Sequence, residues 1–234
     1  MGDPIRRCPQ PRAIPPAEQM IKFTPQQQIR KVLVIGAHSD DIEIGAGGTL
    51  LQMLRQYPGI DVCWVVLTAP GERRAEAQSS AEHFLDAAAT TDIRIETFRE
   101  RYFPHQPEIK EYFDRLGAEF HPDIVICPWQ RDAHQDHRTA SELTLNTFRD
   151  QPVMQYEVVK VDGDLGRPNL YVNLQPEIVE QKVSLLLDMF PSQRSRQWFE
   201  SDVFKGIMRI RGVEGRSESG FAEAFHCSQL VVGL

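Results

Sequence analysis

The sequence predicts a Rossmann-like three-layer α/β sandwich with a mostly parallel sheet. Continuous apolar runs at residues 31–37 (KVLVIGA), 62–68 (VCWVVLT) and 123–129 (DIVICPW) mark strands buried on both faces. Segments with helical periodicity, about 10–18 residues long, alternate with them, as βαβ units require. Right-handed crossovers then place helices on both sides of the sheet.

The elements follow in chain order. Residues 1–29 are rich in Pro and Gln without periodicity and read as an extended N-terminal arm. Residues 30–234 read as a single domain. After the first strand comes a Gly-rich loop and a helix opening near Gly47 (GGTLLQMLRQY). The second strand leads to a helix over 72–89, with Ala, Phe and Leu on one face. A short strand is expected from Ile93 to Phe98, then a helix over 107–120. The strand at 123–129 is followed by a polar loop and a helix opening near His137. Beyond Asp150 the pattern loosens. YEVVKV (156–161) and NLYVNL (169–174) read as strands, added antiparallel. A helix over 176–190 has Pro176 in its first turn, where its missing N–H costs nothing. A last helix is expected between Gln193 and Arg211.

Composition narrows the function classes. Apolar residues make up 41% and charged residues 25%, so 234 residues can bury a core without disulfides. The net charge of −7, with no Lys/Arg block, argues against nucleic acid as a partner. The four cysteines form no C-x-x-C pair, and three lie in apolar surroundings. This fits buried thiols in a reducing compartment. No apolar run is long enough to span a bilayer. Stable membrane insertion is therefore not expected, and a cytoplasmic location is. The arm and the acidic surface fit a homo-oligomer and a monomer equally.

Open α/β sheets place their sites just beyond the C-terminal ends of strands. Two such loops carry ligating residue types: Ala37-His38-Ser39-Asp40-Asp41-Ile42-Glu43 and Arg131-Asp132-Ala133-His134-Gln135-Asp136-His137. Imidazole with carboxylate suits Zn²⁺ or Fe²⁺. Two His and one Asp leave room for water and substrate, as a catalytic site needs. Of the adjacent Asp40 and Asp41, one would bind metal and the other accept a proton. Spacing alone does not say which. Each motif by itself also fits an ordinary helix cap; the two together at strand ends point to one site.

AHSDDIEIGAGGTL (37–50) and RDAHQDHR (131–138) closely resemble the two motifs of the LmbE / PIG-L family of metal-dependent de-N-acetylases. Softer similarities lie in TAPGERRAEA (68–77), PDIVICPW (122–129), PSQ (191–193) and GFAEAF (220–225). Ser39 replaces the family's usual Pro and removes no ligand. The resemblance implies an LmbE-like fold, with His38, Asp41 and His137 as zinc ligands. It implies Asp40 as the general base toward water. His134, in its protonated form, would polarise the amide carbonyl and stabilise the oxyanion. Asp136 would orient a histidine. Arg73 resembles a substrate-facing arginine and Trp129 a stacking wall for a sugar. A solvated helix charge and a core tryptophan are the competing readings.

The resemblance implies zinc-dependent removal of an N-acetyl group from an N-acetylglucosamine-like sugar or small-molecule conjugate. Two alternatives stand beside it. One is a metal-dependent amidase acting on another amide, such as a thiol conjugate. The other is a non-catalytic Rossmann-like module binding sugar or nucleotide, although G-x-G-x-x-G is absent after the first strand.

Overall fold

The computed structural model describes residues 28–231, so the arm expected over 1–29 lies almost wholly outside the described residues. Among the described residues, seven strands form one sheet: β1 (Lys31–Gly36), β2 (Asp61–Val66), β3 (Thr90–Ile95), β4 (Ile124–Pro128), β5 (Val153–Tyr156), β6 (Leu170–Asn173) and β7 (Ala222–Cys227). Their order is β3-β2-β1-β4-β5-β7-β6. The first five run parallel; β7 pairs antiparallel with both β5 and β6.

Alternation along β1 shows why the apolar runs are continuous. Val32 and Val34 face one core with Trp64 and Phe84, while Leu33 and Ile35 face the other with Cys63 and Phe113. A strand apolar on one side only would expose the other to a helix layer it could not pack. Helices α1 (Asp41–Gln56), α2 (Arg73–Phe84), α5 (Pro176–Met189) and α6 (Ser201–Glu214) cover the first face. Helices α3 (Pro107–Glu119) and α4 (Gln135–Thr147) cover the second. This is the expected three-layer sandwich. β1 and β4 are neighbours although β2 and β3 intervene in the chain, so the switch point of the sheet lies between them.

Several elements differ from expectation in their bounds. α1 opens at Asp41, not near Gly47, so the Gly-rich stretch is helix and not loop. These glycines are there for close packing: a Cβ on Gly45 would lie 2.2 Å from Tyr156 Cδ2. Tyr156 in turn donates from its hydroxyl to Ile35 O at 2.8 Å. β5 ends where YEVVKV was expected to begin, and residues 157–169 form a loop held by side-chain bonds. β7, in GFAEAF, was not foreseen; its residues alternate less clearly in polarity. β3 begins three residues early.

A buried ion pair threads α1. Lys182 Nζ lies 2.6 Å from Glu223 Oε1 and donates to Ile44 O at 2.6 Å. Glu223 accepts from Gly48 N–H at 2.8 Å and from Thr49 N–H at 2.6 Å. Both ends of one helical turn, Ile44 O and Gly48 N–H, are thus engaged by the pair. Ile44 N–H donates to Asp40 O at 3.1 Å, which ties this clamp to the loop after β1.

Candidate metal centre

The loops after β1 and β4 meet at the switch point. His38 leaves the end of β1, Asp41 opens α1, and His137 sits in the first turn of α4. Their donor atoms form a near-equilateral triangle. His38 Nδ1 and His137 Nε2 are 3.1 Å apart. Asp41 Oδ2 lies 3.3 Å from the first and 3.2 Å from the second. Donors about 2.0–2.1 Å from a tetrahedral zinc stand about 3.3 Å from one another. The residues present therefore fit such an ion. The three histidines 38, 134 and 137 also bring one donor atom each within 4.8 Å. The set containing Asp41 is the tighter one and supplies the carboxylate charge.

The second nitrogen of each imidazole fixes its orientation. His137 Nδ1 faces Asp132 Oδ2 at 2.9 Å, and His38 Nε2 faces Asp136 Oδ2 at 3.4 Å. With N–H toward the carboxylate, each ring turns a lone pair to the triangle. Asp132 is held by Lys160 Nζ at 3.0 Å and by His134 N–H at 2.7 Å. Asp136 accepts from Arg101 N–H at 2.5 Å and Phe103 N–H at 3.3 Å.

Burial raises both of these carboxyls, but their bonded partners outweigh it and hold them below the ordinary aspartate value. Asp41, flanked by His137 and His38, is held well below it despite its burial. Burial disfavours the cationic imidazoles, yet the facing carboxylates raise His38 to about 10 and His137 to about 9. Such donors surrender protons when a cation takes their place.

Asp40 occupies the N-cap position of α1 but does not cap with its side chain. Its carboxylate instead receives Arg73 NH2 at 2.6 Å. Burial pushes the Asp40 carboxyl up, against the pull of Arg73. Arg73 is thus bound to Asp40, a contact the sequence did not suggest.

His134 is the N-cap of α4, and its Nδ1 accepts the Asp136 N–H at 3.2 Å. A ring accepting at Nδ1 and neutral overall carries its proton on Nε2. Burial first, then the two neighbouring imidazoles, lower its pKa. Both effects act against the protonated form expected from sequence, and the bond at Nδ1 leaves Nε2 as the ring's other nitrogen.

The cleft above the triangle is bounded by Ile44, Val158, Lys160, Gln193, Arg196 and Trp198. Trp129 is not among its walls. It stacks on His226 with ring centroids 4.0 Å apart, and its ring lies against Gly166. His105 is exposed on a short 3-10 turn.

Sequence reasoning missed Asp132, although it stands five residues before His137 in the same loop. It also missed Lys160, Arg196 and Trp198, which reach the site from regions without a recognisable motif.

Residues 33–148 match the PIG-L family model, described as GlcNAc-PI de-N-acetylase. The chain is 29% identical over 175 residues to the diacetylchitobiose deacetylase of Thermococcus kodakarensis. The match covers 67% of this chain and 60% of that relative's length. Among solved structures, an N,N'-diacetylchitobiose deacetylase from Pyrococcus horikoshii superposes with a TM-score of 0.65 at 21% identity, covering 85% of this chain and 84% of that one. The hydratase GalB from Pseudomonas putida KT2440 gives 0.64 at 17% identity, over 88% of this chain and 99% of that one. These structural likenesses show the fold, which evidently hosts more than one reaction. No helix among the described residues is long and apolar enough to cross a membrane.

Proposed function

Because the chain carries a PIG-L (LmbE-like) family domain over residues 33–148, we propose that it is a metal-dependent amide hydrolase. Its substrate is an N-acetylglucosamine-like sugar or sugar conjugate, from which it removes the N-acetyl group. The observation that carries this reading is the triangle of His38 Nδ1, Asp41 Oδ2 and His137 Nε2, with sides of 3.1–3.3 Å. Zinc fits that donor set best, and Fe²⁺ shares its preferences. When bound, the ion acts as a Lewis acid toward water and the acyl oxygen.

The chain's own groups supply the rest. Asp40, aimed by Arg73, takes the proton from water as its oxygen attacks the acyl carbon. The Nε2–H of His134 donates to the oxygen that gains negative charge. The C–N bond then breaks, and Asp40 returns its proton to the departing amine, leaving acetate and a free amino sugar. Asp132 and Asp136 hold His137 and His38 in place throughout.

The reading is tested by scoring acetate release from a panel of N-acetylated sugars. Activity is expected to vanish with a chelator and return with Zn²⁺. Asp40→Asn should retain about one metal per chain yet lose about 10²–10⁴-fold in kcat. Metal should be lost from both His38→Ala and His137→Ala. No acetate release from any N-acetyl sugar by the metal-loaded protein would refute the reaction. Full metal content in both histidine variants would refute the ligands.

A further inference from the structure

Residues 191–198 cross the mouth of the cleft as a 3-10 turn (Pro191–Gln193) and the bends that follow. Glu76 on α2 fastens this segment with two bonds. It accepts from Ser192 N–H at 2.8 Å and from Ser192 Oγ–H at 2.6 Å. Arg73, one turn earlier on the same helix, donates to Asp40. A single helix face therefore sets the spacing between the base and the segment at the mouth. Gln193, Arg196 and Trp198 project from that segment onto the cleft.

The charges around the cleft are unevenly matched. Arg73 is paired with Asp40, and Lys160 with Asp132 and Asp164 at 3.0 and 2.7 Å. Glu100 has the Arg101 guanidinium 3.8 Å away. Among the described residues, Arg196 alone of the cleft's cations has no side-chain partner. Trp198, which also lines the cleft, is half-buried and packs in part against the apolar core and Phe199. A guanidinium fork and an indole in one cleft suit a sugar ring that bears a planar or tetrahedral oxyanion.

We infer that Gln193, Arg196 and Trp198 form the subsite for the group attached to the acetamido sugar, and that this group carries a carboxylate or phosphate read by Arg196. The inference rests on the proposed amide-hydrolase reading and narrows its substrates to acidic conjugates. Trp198 covers the sugar face. The carbonyl of Gln193 accepts from a hydroxyl, its amide nitrogen being committed to Ser192 Oγ at 3.0 Å.

The test compares three N-acetylglucosamine derivatives: the 1-phosphate, a glycoside of a hydroxy acid, and the neutral methyl glycoside. Acetate release gives kcat/KM for the zinc-loaded wild type, Arg196→Gln and Arg196→Glu. Arg196 is exposed, so both variants should fold. At least one acidic substrate should exceed the neutral one by roughly tenfold, mostly through KM, and the gain should shrink in about 0.5 M salt. The ratio should approach one in Arg196→Gln and fall below one in Arg196→Glu. Gain with the phosphate alone, or with the carboxylate alone, identifies the anion.

An equal acidic-to-neutral ratio in wild type and Arg196→Gln overturns the subsite. So does a wild type that prefers the methyl glycoside. Should none of the sugars release acetate, the hydrolase reading fails by itself. Calorimetric Kd values for the acidic and neutral glycosides, in wild type and Arg196→Gln, then still decide the subsite.

Discussion

Replacing Asp132 separates the metal triangle from the scaffold that orients it. Asp132 is 3% exposed, and its Oδ2 receives His137 Nδ1 at 2.9 Å and Lys160 Nζ at 3.0 Å. Asparagine there can still accept from His137 but withdraws the negative charge that makes the imidazole a stronger donor. Alanine removes both. A carboxylate behind a ligating histidine is worth about 10–100-fold in metal affinity, or about 1.4–2.7 kcal/mol at about 1.36 kcal/mol per decade. Asparagine should fall near the lower bound and alanine near the upper. Lys160 keeps Asp164 at 2.7 Å, so no stranded cation inflates the effect. Zinc Kd by competition against a chelator is the assay, paired with thermal unfolding of the metal-free variants to confirm the fold. Wild-type zinc affinity in a folded Asp132→Ala variant would refute both the orientation of His137 through Asp132 and the triangle as the zinc site.

Three further substitutions probe the frame. Lys182→Met leaves Glu223 buried without its cation and should cost about 3–5 kcal/mol in urea unfolding, with the Lys182→Met/Glu223→Gln pair losing less than the sum of its parts; additive losses would deny the coupling. Gly45→Ala drives a methyl group to within 2.2 Å of the Tyr156 ring and should lower stability by about 1–3 kcal/mol or more; an unchanged Tm would show that α1 moves freely over β5. Trp129→Ala should lose at least about 1 kcal/mol of stability through the His226 stack while leaving KM for sugars unchanged; a large rise in KM with intact stability would return Trp129 to the binding site.

The sheet was legible because its central strands are buried on both sides. Val32 to Ile35 and Val62 to Val66 are buried throughout, and their shortness and Val/Ile content argue for strand over buried helix. The same test fails at the rim. β6 is only half-buried, and β7 carries Glu223 facing inward to the α1 clamp, which breaks any apolar pattern. The start of α1 was misplaced because glycine in a helix interior normally argues against helix. Here Tyr156, Phe84 and Leu174 fill the space that side chains would take. The site was legible where ligating types cluster within a few residues, at 38–41 and 134–137. Lys160, Arg196 and Trp198 carry no local signature; only the folded chain brings them to the cleft.

The corners of the triangle come from two loops, but their orientation is supplied by others. Asp136 binds the N–H groups of Arg101 and Phe103, in the segment after β3. Arg101 holds a left-handed φ of 67°, a conformation that costs a non-glycine residue about 1–2 kcal/mol. The strain persists because its N–H must reach Asp136 while its carbonyl receives the Gln135 amide. Asp132 is braced by Lys160 in the loop after β5, and Asp40 by Arg73 on α2. Every group proposed to ligate or react, and every residue that braces one except Lys160, lies within residues 33–148. Of the cleft's other walls, Ile44 and Glu100 lie within them, while Val158, Lys160, Gln193, Arg196 and Trp198 lie beyond. On the proposed reading, the chemistry is therefore set in the part of the chain that matches the family, and substrate choice in the part that follows it.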